Sequence, residues 1–225
     1  MTDPPEPAPW WLRGPFILVG LAGWFWTQSL VSRRSSIVGK TVCPDNAVGD
    51  AVLALLAGPH RYLTTHPAAA NTLLIVTSAV IDVLGVFLLA VSVFGPTIRP
   101  FLALLSIFAL RQLCQIACAL PPPPGMIWRN PGFPSLLVTY HVANDFFFSG
   151  HTALAVLGAI ELMRFGGPAW LPVGVAIIVL ECMAVLMLRA HYTLDVFTGA
   201  VVAHYAAMLA AEWAPWCDAA LASAW

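Results

Sequence analysis

The chain has 225 residues, of which 60% are hydrophobic and only 9% are charged, and its mean hydropathy is +0.82. A soluble domain carries about a quarter charged residues, so this composition excludes an ordinary soluble protein and predicts an integral membrane protein. The formal net charge of -1 gives no overall attraction to nucleic acid, and the five cysteines lack the spacing of a metal site.

Apolar segments follow one another along the chain without a dividing linker. Each is about long enough to cross a bilayer, because a crossing helix needs about 20 apolar residues. Residues 1–14 are proline-rich and polar, and we expect a short disordered lead there. The expected spans are 15–32, 71–94, 101–120, 146–165, 169–189 and 192–213. The prediction is an all-α bundle of six transmembrane helices, formed by one domain over residues 15–215.

Two long connections join the predicted helices. The first, residues 33–70, contains the apolar run 51–56, which is too short to cross. The second begins at Pro121–Gly125, where four prolines end the third helix abruptly. Since successive spans alternate in direction, both connections, the start of the fourth span and the turn before the sixth lie at one membrane face. We therefore expect a single polar site at that face.

His191 and Asp195 form one polar pair at this face. They are four residues apart, so on a helix both side chains lie on the same side. The carboxylate then accepts the proton of one imidazole nitrogen and leaves the other nitrogen as a nucleophile or a base. A purely structural His–Asp pair at a helix start is the alternative that the spacing leaves open.

A second polar cluster, Ser149-Gly150-His151, stands near the start of the fourth span. Free N–H groups and the helix dipole favour an anion at such a place. His151 is suited to donate a proton to a departing oxygen. The alternative is an N-cap serine followed by a chance histidine, but ionisable residues at membrane depth indicate function by default.

Arg111 lies within the third span, where an unpaired guanidinium is costly. It therefore needs a partner, which is either a phosphate group or a carboxylate such as Asp82 or Glu181.

Asp145 and Arg189 flank the two histidine clusters. Asp145 either orients His151, meets a cationic head group or caps the fourth helix. Arg189 either contacts phosphate or extends its charge to the membrane interface. The sequence does not decide between these roles.

The two motifs together carry a resemblance to known families. Ser149-Gly150-His151 followed by HYTLDV at 191–196 resembles the type-2 phosphatidic acid phosphatase superfamily. The fuller string DFFFSGHT at 145–152 is similar to sphingomyelin synthases, and the series from Arg111 through the proline run is similar to phosphatidylcholine:diacylglycerol cholinephosphotransferases. The resemblance implies a type-2 phosphatidic acid phosphatase-like fold and covers the third to sixth spans.

This resemblance implies a two-step transfer of a phosphocholine or phosphoethanolamine group. The donor would be a glycerophospholipid, and the acceptor a lipid alcohol, either ceramide or diacylglycerol. His191 would attack the phosphodiester and become a phosphohistidine, Asp195 would orient it, and His151 would protonate the departing oxygen. The reaction would be metal-free and need no cofactor. Substrate-binding roles fall to Arg111, Asp145, Ser149 and Arg189.

The sequence departs from the phosphatase branch in its cations. No lysine follows Lys40, and Val185 stands where that branch has an arginine six residues before the second histidine. A monoester dianion needs more cationic neutralisation than a diester monoanion, and only Arg111 and Arg189 are at hand. We therefore expect a transferase acting on a diester. The alternatives are a lipid phosphatase or phospholipase C-like hydrolase, and a catalytically silent membrane protein that binds or moves lipid.

The sequence leaves the orientation of the site open. More Lys and Arg residues flank the predicted site face, which by the positive-inside rule would be cytoplasmic. The family resemblance implies a lumenal or extracellular site instead. The expected localisation is a multi-pass membrane protein of an unidentified membrane, with lipids as partners, and a homo-oligomer is compatible with the sequence.

Overall fold

The computed structural model describes residues 9–38, 49–117, 120–140 and 146–223. Within these ranges the chain forms helices and loops without a strand, which confirms the all-α prediction. The helices are α1 (Trp10–Val38), α2 (Ala51–Leu55), α3 (Ala57–Thr65), α4 (Pro67–Phe94), α5 (Arg99–Ala117), α6 (Gly150–Gly166), α7 (Leu171–Met187) and α8 (Thr193–Ser223). A short 3₁₀ turn, Pro168–Trp170, leads into α7.

Among the described residues, four helices are long and apolar enough to cross a membrane. These are α4, α5, α7 with its preceding turn, and α8. They confirm an integral membrane protein, whereas the count of six spans stays a prediction. The helices at the expected first and fourth spans are α1 and α6, and α6 has 17 residues.

Two helix starts differ from the expected ones. Helix α1 begins at Trp10 and contains Pro15, which we had placed at the beginning of the span. Helix α6 begins at Gly150 and not at Phe146, because the Ser149 side chain caps the helix there. Of the lead predicted to be disordered, residues 1–8 lie outside the described part of the chain.

Helix α6 lies at the centre of the bundle and contacts α4, α5, α7 and α8. Helix α8 packs through small residues that are almost fully buried. These are Ala203, Ala206, Ala207 and Ala210. Helices in lipid have no hydrophobic drive to associate, so small residues that let backbones approach closely stabilise the packing. This close approach packs α8 against α5 and α6.

The second long connection, described over residues 121–140 and called here the proline-rich loop, folds back along α4. The Asp82 carboxylate accepts hydrogen bonds from the Ser135 hydroxyl and from the backbone N–H groups of Leu136 and Leu137, the latter two at 2.9 Å. At a rise of about 1.5 Å per residue, Asp82 lies roughly 22 Å along α4 from Pro67. The loop therefore reaches far down the helix.

Opposite charges meet at the end of the bundle where α5 begins. The buried Glu161 carboxylate contacts Arg99 at 2.8 Å and Arg164 at 2.9 Å. Asp218 near the end of α8 accepts hydrogen bonds from the backbone and a hydroxyl at the start of α5. These contacts tie the helices together away from the two histidines.

Candidate active site

Ser149 sets the position of His151. Its hydroxyl oxygen accepts the Thr152 backbone N–H at 3.3 Å and the Thr152 hydroxyl at 3.1 Å, so Ser149 is the N-cap of α6. His151 is then in the first turn of the helix. Ser149 is fully buried, and the substrate contact expected of it stays a prediction beside this capping role.

His191 lies in the turn before α8, and Asp195 lies in the first turn of that helix. The expectation of two residues on one helix face is therefore wrong in its detail, although the side chains do meet. Asp195 Oδ2 is 3.7 Å from His191 Nδ1 and accepts the Tyr192 N–H at 2.9 Å. The 3.7 Å separation is too long for a hydrogen bond.

The two motifs also contact each other through the backbone. The N–H of Ser149 donates to the carbonyl oxygen of Asp195 at 3.1 Å. Gly199, one turn further along α8, allows this approach, since a Cβ atom there would lie 2.6 Å from the Ser149 carbonyl oxygen. The start of α6 and the start of α8 are thus fixed against each other.

Both histidines line one cavity of about 90 Å³. Its walls come from α4, α5, α6, the proline-rich loop and the turn before α8. The lining residues are Ile81, Phe108, Arg111, Trp128, Leu137, Val138, Thr139, Phe146, Gly150, His151, Leu154, Ala190 and His191. The structure therefore brings together Arg111, His151 and His191, as the sequence predicted.

Arg111 reaches the cavity from α5, and its Nε donates to the Phe148 carbonyl oxygen at 2.9 Å. The two carboxylates considered as its partners are engaged elsewhere: Asp82 binds the proline-rich loop, and Glu181 accepts the hydroxyl of Thr77. The guanidinium is thus held beside the start of α6. A phosphate group bound to it there would lie next to both histidines.

Three polar atoms around the cavity are shielded from solvent and have no hydrogen-bond partner among the described residues. They are His151 Nε2, His191 Nδ1 and Asp195 Oδ1. Buried polar atoms are normally paired, so a group of unpaired ones indicates a functional site. Within the same ranges no group of three or more His, Cys, Asp or Glu side chains could hold a metal ion.

The surroundings of His191 favour its neutral form. Burial lowers the pKa of the imidazole, and the Arg111 charge lowers it further. The Asp195 carboxylate and the Phe146 backbone act in the opposite direction and offset part of this effect. An imidazole must be neutral to attack an electrophile, so the low pKa suits a nucleophile.

Arg189 is not among the described residues that line the cavity. The Arg189 Nη1 atom donates to the carbonyl oxygen of Pro124 at 2.8 Å, and its residue has a positive φ of 53°. Arg189 therefore anchors the proline-rich loop, and its phosphate contact stays a prediction. Asp145 lies outside the described residues.

Aromatic side chains contact the histidines, and the sequence reasoning missed them. The centre of the Trp128 ring lies 5.3 Å from the centre of the His151 ring, edge to face, and the centres of the Phe146 and His191 rings are 6.1 Å apart. Trp128 is held by a hydrogen bond from its Nε1 to the Thr139 carbonyl oxygen at 3.1 Å. In a chain that is 11% aromatic, no sequence signal separates these rings from ordinary apolar residues.

These features define a helical membrane protein with a paired-histidine cavity between α4, α5, α6 and the turn before α8. Residues 50–212 match the sequence profile of the AtPDCT1/2 family, so the chain belongs to this family. The family name denotes phosphatidylcholine:diacylglycerol cholinephosphotransferase. No curated protein and no solved structure is significantly similar to the chain.

Proposed function

We propose that this protein transfers phosphocholine from phosphatidylcholine to diacylglycerol. The observation that carries the proposal is the shared cavity, in which His151, His191 and Arg111 meet although they come from three separate elements. Membership of the AtPDCT1/2 family supports the donor and the acceptor. Phosphatidylcholine and diacylglycerol are both bilayer lipids, so both can reach a membrane protein from the surrounding bilayer.

In the first step, His191 attacks the phosphorus of phosphatidylcholine. An N–P bond forms on its Nε2 atom, since Nδ1 faces Asp195. The bond between phosphorus and the diacylglycerol oxygen breaks, and protonated His151 gives its proton to that oxygen. The positive charge on the phosphohistidine is stabilised by the Asp195 carboxylate, whose Oδ2 lies 3.7 Å from Nδ1.

In the second step, a different diacylglycerol enters and its hydroxyl attacks the same phosphorus. His151, now neutral, takes the hydroxyl proton, and the N–P bond to His191 breaks. Both histidines then return to their starting protonation states. Covalent catalysis divides one difficult displacement into two easier ones, and the same histidine serves as acid and as base.

The cavity charges favour a phosphodiester. Arg111 supplies the one positive charge that stays in the cavity when His151 gives its proton to the departing oxygen, and a diester carries one negative charge. The hydrogen bond from Arg111 to Phe148 holds the guanidinium in place before substrate binds. Such preorganised charge is the largest contribution in many enzymes.

The cavity lining favours choline over ethanolamine. Phe108, Trp128 and Phe146 contribute aromatic rings, and no carboxylate occurs among the described lining residues. Aromatic faces attract quaternary ammonium groups, whereas a primary ammonium group keeps its hydration unless an acceptor replaces it. We therefore propose phosphocholine as the transferred group, with diacylglycerol preferred to ceramide and no metal required.

A reconstitution experiment tests the proposal. The purified protein in lipid vesicles would receive phosphatidylcholine labelled in its choline group, together with a diacylglycerol whose chains differ from those of the donor. We expect label in the new phosphatidylcholine species only when diacylglycerol is added, and none with His191→Ala. Phosphatidylethanolamine and ceramide arms report on the head group and the acceptor, and a chelator arm reports on metal.

Other outcomes would overturn this function. Release of free phosphocholine without acceptor would indicate a hydrolase. If His191→Ala transferred phosphocholine at the wild-type rate, a phosphohistidine intermediate at this residue would be ruled out. Loss of activity in chelator that added metal restores would contradict the metal-free mechanism.

A further inference from the structure

Asp50 lies just before α2, in the first long connection, and caps that short helix. Its Oδ1 accepts the backbone N–H of Val52 at 3.0 Å and of Leu53 at 3.1 Å. This is the ordinary contact of an N-cap aspartate and requires only one carboxylate oxygen. The carboxylate has a second set of contacts that the cap does not explain.

The second set joins Asp50 to the turn that carries His191. The Thr193 N–H donates to Oδ2 of Asp50 at 2.7 Å, and the Thr193 hydroxyl donates to Oδ1 at 2.7 Å. Thr193 is the first residue of α8 and lies midway between His191 and Asp195. One carboxylate therefore binds both the start of α2 and the start of α8.

Apolar contacts between the same elements support this connection. Leu53 of α2 and Tyr192 form one buried cluster with Leu186 of α7. Tyr192, which follows His191 directly, is only 5% exposed. Its backbone N–H donates to Asp195, while the next N–H, that of Thr193, donates to Asp50. Two carboxylates thus hold successive N–H groups directly after the nucleophile.

We propose that Asp50 is a positioning residue for the transfer reaction, and that it fixes the direction of the His191 imidazole by holding the turn between α7 and α8. The inference rests on the proposed function. Without the Thr193 contact, Asp195 would be the only described side chain that binds a backbone N–H directly after His191. Since a misplacement of about 1 Å can cost roughly 100-fold in rate, this contact has a direct effect on the chemical step.

The charge of Asp50 fits this role. Burial alone raises the pKa of the carboxyl group, but the hydrogen bonds from Thr193, Leu53 and Val52 outweigh burial, and the pKa is lower than usual. The group is therefore ionised at neutral pH. A negative charge at the start of α8 also interacts favourably with the dipole of that long helix.

Asp50→Asn separates the two roles of the carboxylate. Asparagine is a good N-cap, so its amide oxygen keeps the contacts with α2. Its NH₂ group cannot accept the Thr193 N–H, so that backbone contact with α8 is lost, while the Thr193 hydroxyl keeps its acceptor at the amide oxygen. We expect kcat to fall about 10- to 100-fold with KM for phosphatidylcholine nearly unchanged, because the substrate-binding walls are not touched.

Asp218→Asn is the matched control. Asp218 accepts the Thr97 hydroxyl at 2.6 Å and the Ile98 N–H at 3.1 Å. These contacts lie at the end of the bundle where α5 begins, away from the two histidines. This substitution removes the same kind of contact and should lower the thermal stability while kcat stays at the wild-type value. A loss of kcat that is equal in both variants, or a wild-type kcat in Asp50→Asn, would overturn the inference.

A second measurement does not depend on the transfer reaction. Isotope-labelled histidine NMR of the protein in nanodiscs reports on the environment of each imidazole. Asp50→Asn should shift or broaden the His191 signals and leave those of exposed His66 unchanged. If the wild-type protein transferred no phosphocholine, the proposed function would fail, and unchanged His191 signals in Asp50→Asn would separately overturn the positioning role.

Discussion

Gly199→Ala tests whether the contact between α6 and α8 sets the geometry of the site. The added Cβ would lie 2.6 Å from the carbonyl oxygen of Ser149 and 3.4 Å from Cβ of Thr152. The oxygen belongs to the backbone at the N-cap of α6, so no side chain can simply rotate away. The Ser149 N–H is bonded to the Asp195 carbonyl, so any movement is transmitted to both motifs.

The size of the effect follows from this distance. An ordinary contact begins at about 3.4 Å, so the two helices must separate by about 0.8 Å at this point. Such overpacking costs about 1–3 kcal/mol, of which the better helix propensity of alanine returns up to about 1 kcal/mol. The displacement of His151 from His191 should lower kcat by roughly 10- to 100-fold. Activity is thus expected to suffer more than stability.

The assay is acceptor-dependent transfer of labelled phosphocholine in vesicles, with thermal unfolding measured in parallel. Gly23→Ala in α1 is the control, because nothing lies within 4 Å of the Cβ that it would add. That variant should match the wild type in kcat. If Gly199→Ala also kept the wild-type kcat, the relative position of the two motifs would not limit the reaction.

Three further substitutions or measurements test other parts of the site. The acid limb of kcat/KM should have its midpoint below about 6.5, the usual imidazole value, because burial lowers the pKa of His191. Asp195→Asn should move that midpoint lower still, since the carboxylate favours the imidazolium; a pH–rate profile with an unchanged or higher midpoint would contradict this. Asp82→Ala should lower the unfolding temperature in detergent, because the partly buried N–H of Leu137 would lose its acceptor, at a cost of about 1–3 kcal/mol, and Asp82→Asn should lose less; equal unfolding temperatures would refute the anchoring role. Arg111→Gln should raise the free energy of the transition state for phosphatidylcholine by about 2–5 kcal/mol, and kcat/KM should fall accordingly. Wild-type kinetics would rule out the phosphate contact of Arg111.

The convergence of the two histidines could be predicted from the sequence. Apolar segments alternate in direction across a membrane, so their order alone places the start of α6 and the turn before α8 at one face. The structure agrees, since His151 and His191 line one cavity with Arg111. The spacing of His191 and Asp195 predicted their proximity but not the turn, because a four-residue spacing does not tell where a helix begins.

The parts that could not be predicted depend on backbone hydrogen bonds. Asp82 was considered as a partner of Arg111, whereas in the structure it accepts the N–H groups of Leu136 and Leu137. Asp50 likewise binds the N–H of Thr193, 143 positions away in the sequence. Every residue type except proline offers the same N–H group, so such partners leave no signal in the pattern of side chains.

Charge balance in the cavity leads to a last prediction, on phosphatidic acid. Arg111 is the only Lys or Arg among the described lining residues, His191 favours its neutral form, and His151 gives up its proton as the leaving group departs. A phosphomonoester carries up to one more negative charge than a diester. At an effective dielectric constant of about 20, an unpaired unit charge about 4 Å from a like charge costs roughly 4 kcal/mol. Even half of that cost corresponds to about 30-fold in rate.

Phosphatidic acid should therefore be a poor substrate, with kcat/KM at least about 30-fold below that of phosphatidylcholine. The measurement is release of inorganic phosphate from phosphatidic acid vesicles, compared with phosphocholine transfer by the same preparation. Arg111→Gln should impair the remaining phosphate release further, since it removes the charge on which either substrate depends. Comparable kcat/KM values for the two lipids would show that the number of cations in the cavity does not select the diester.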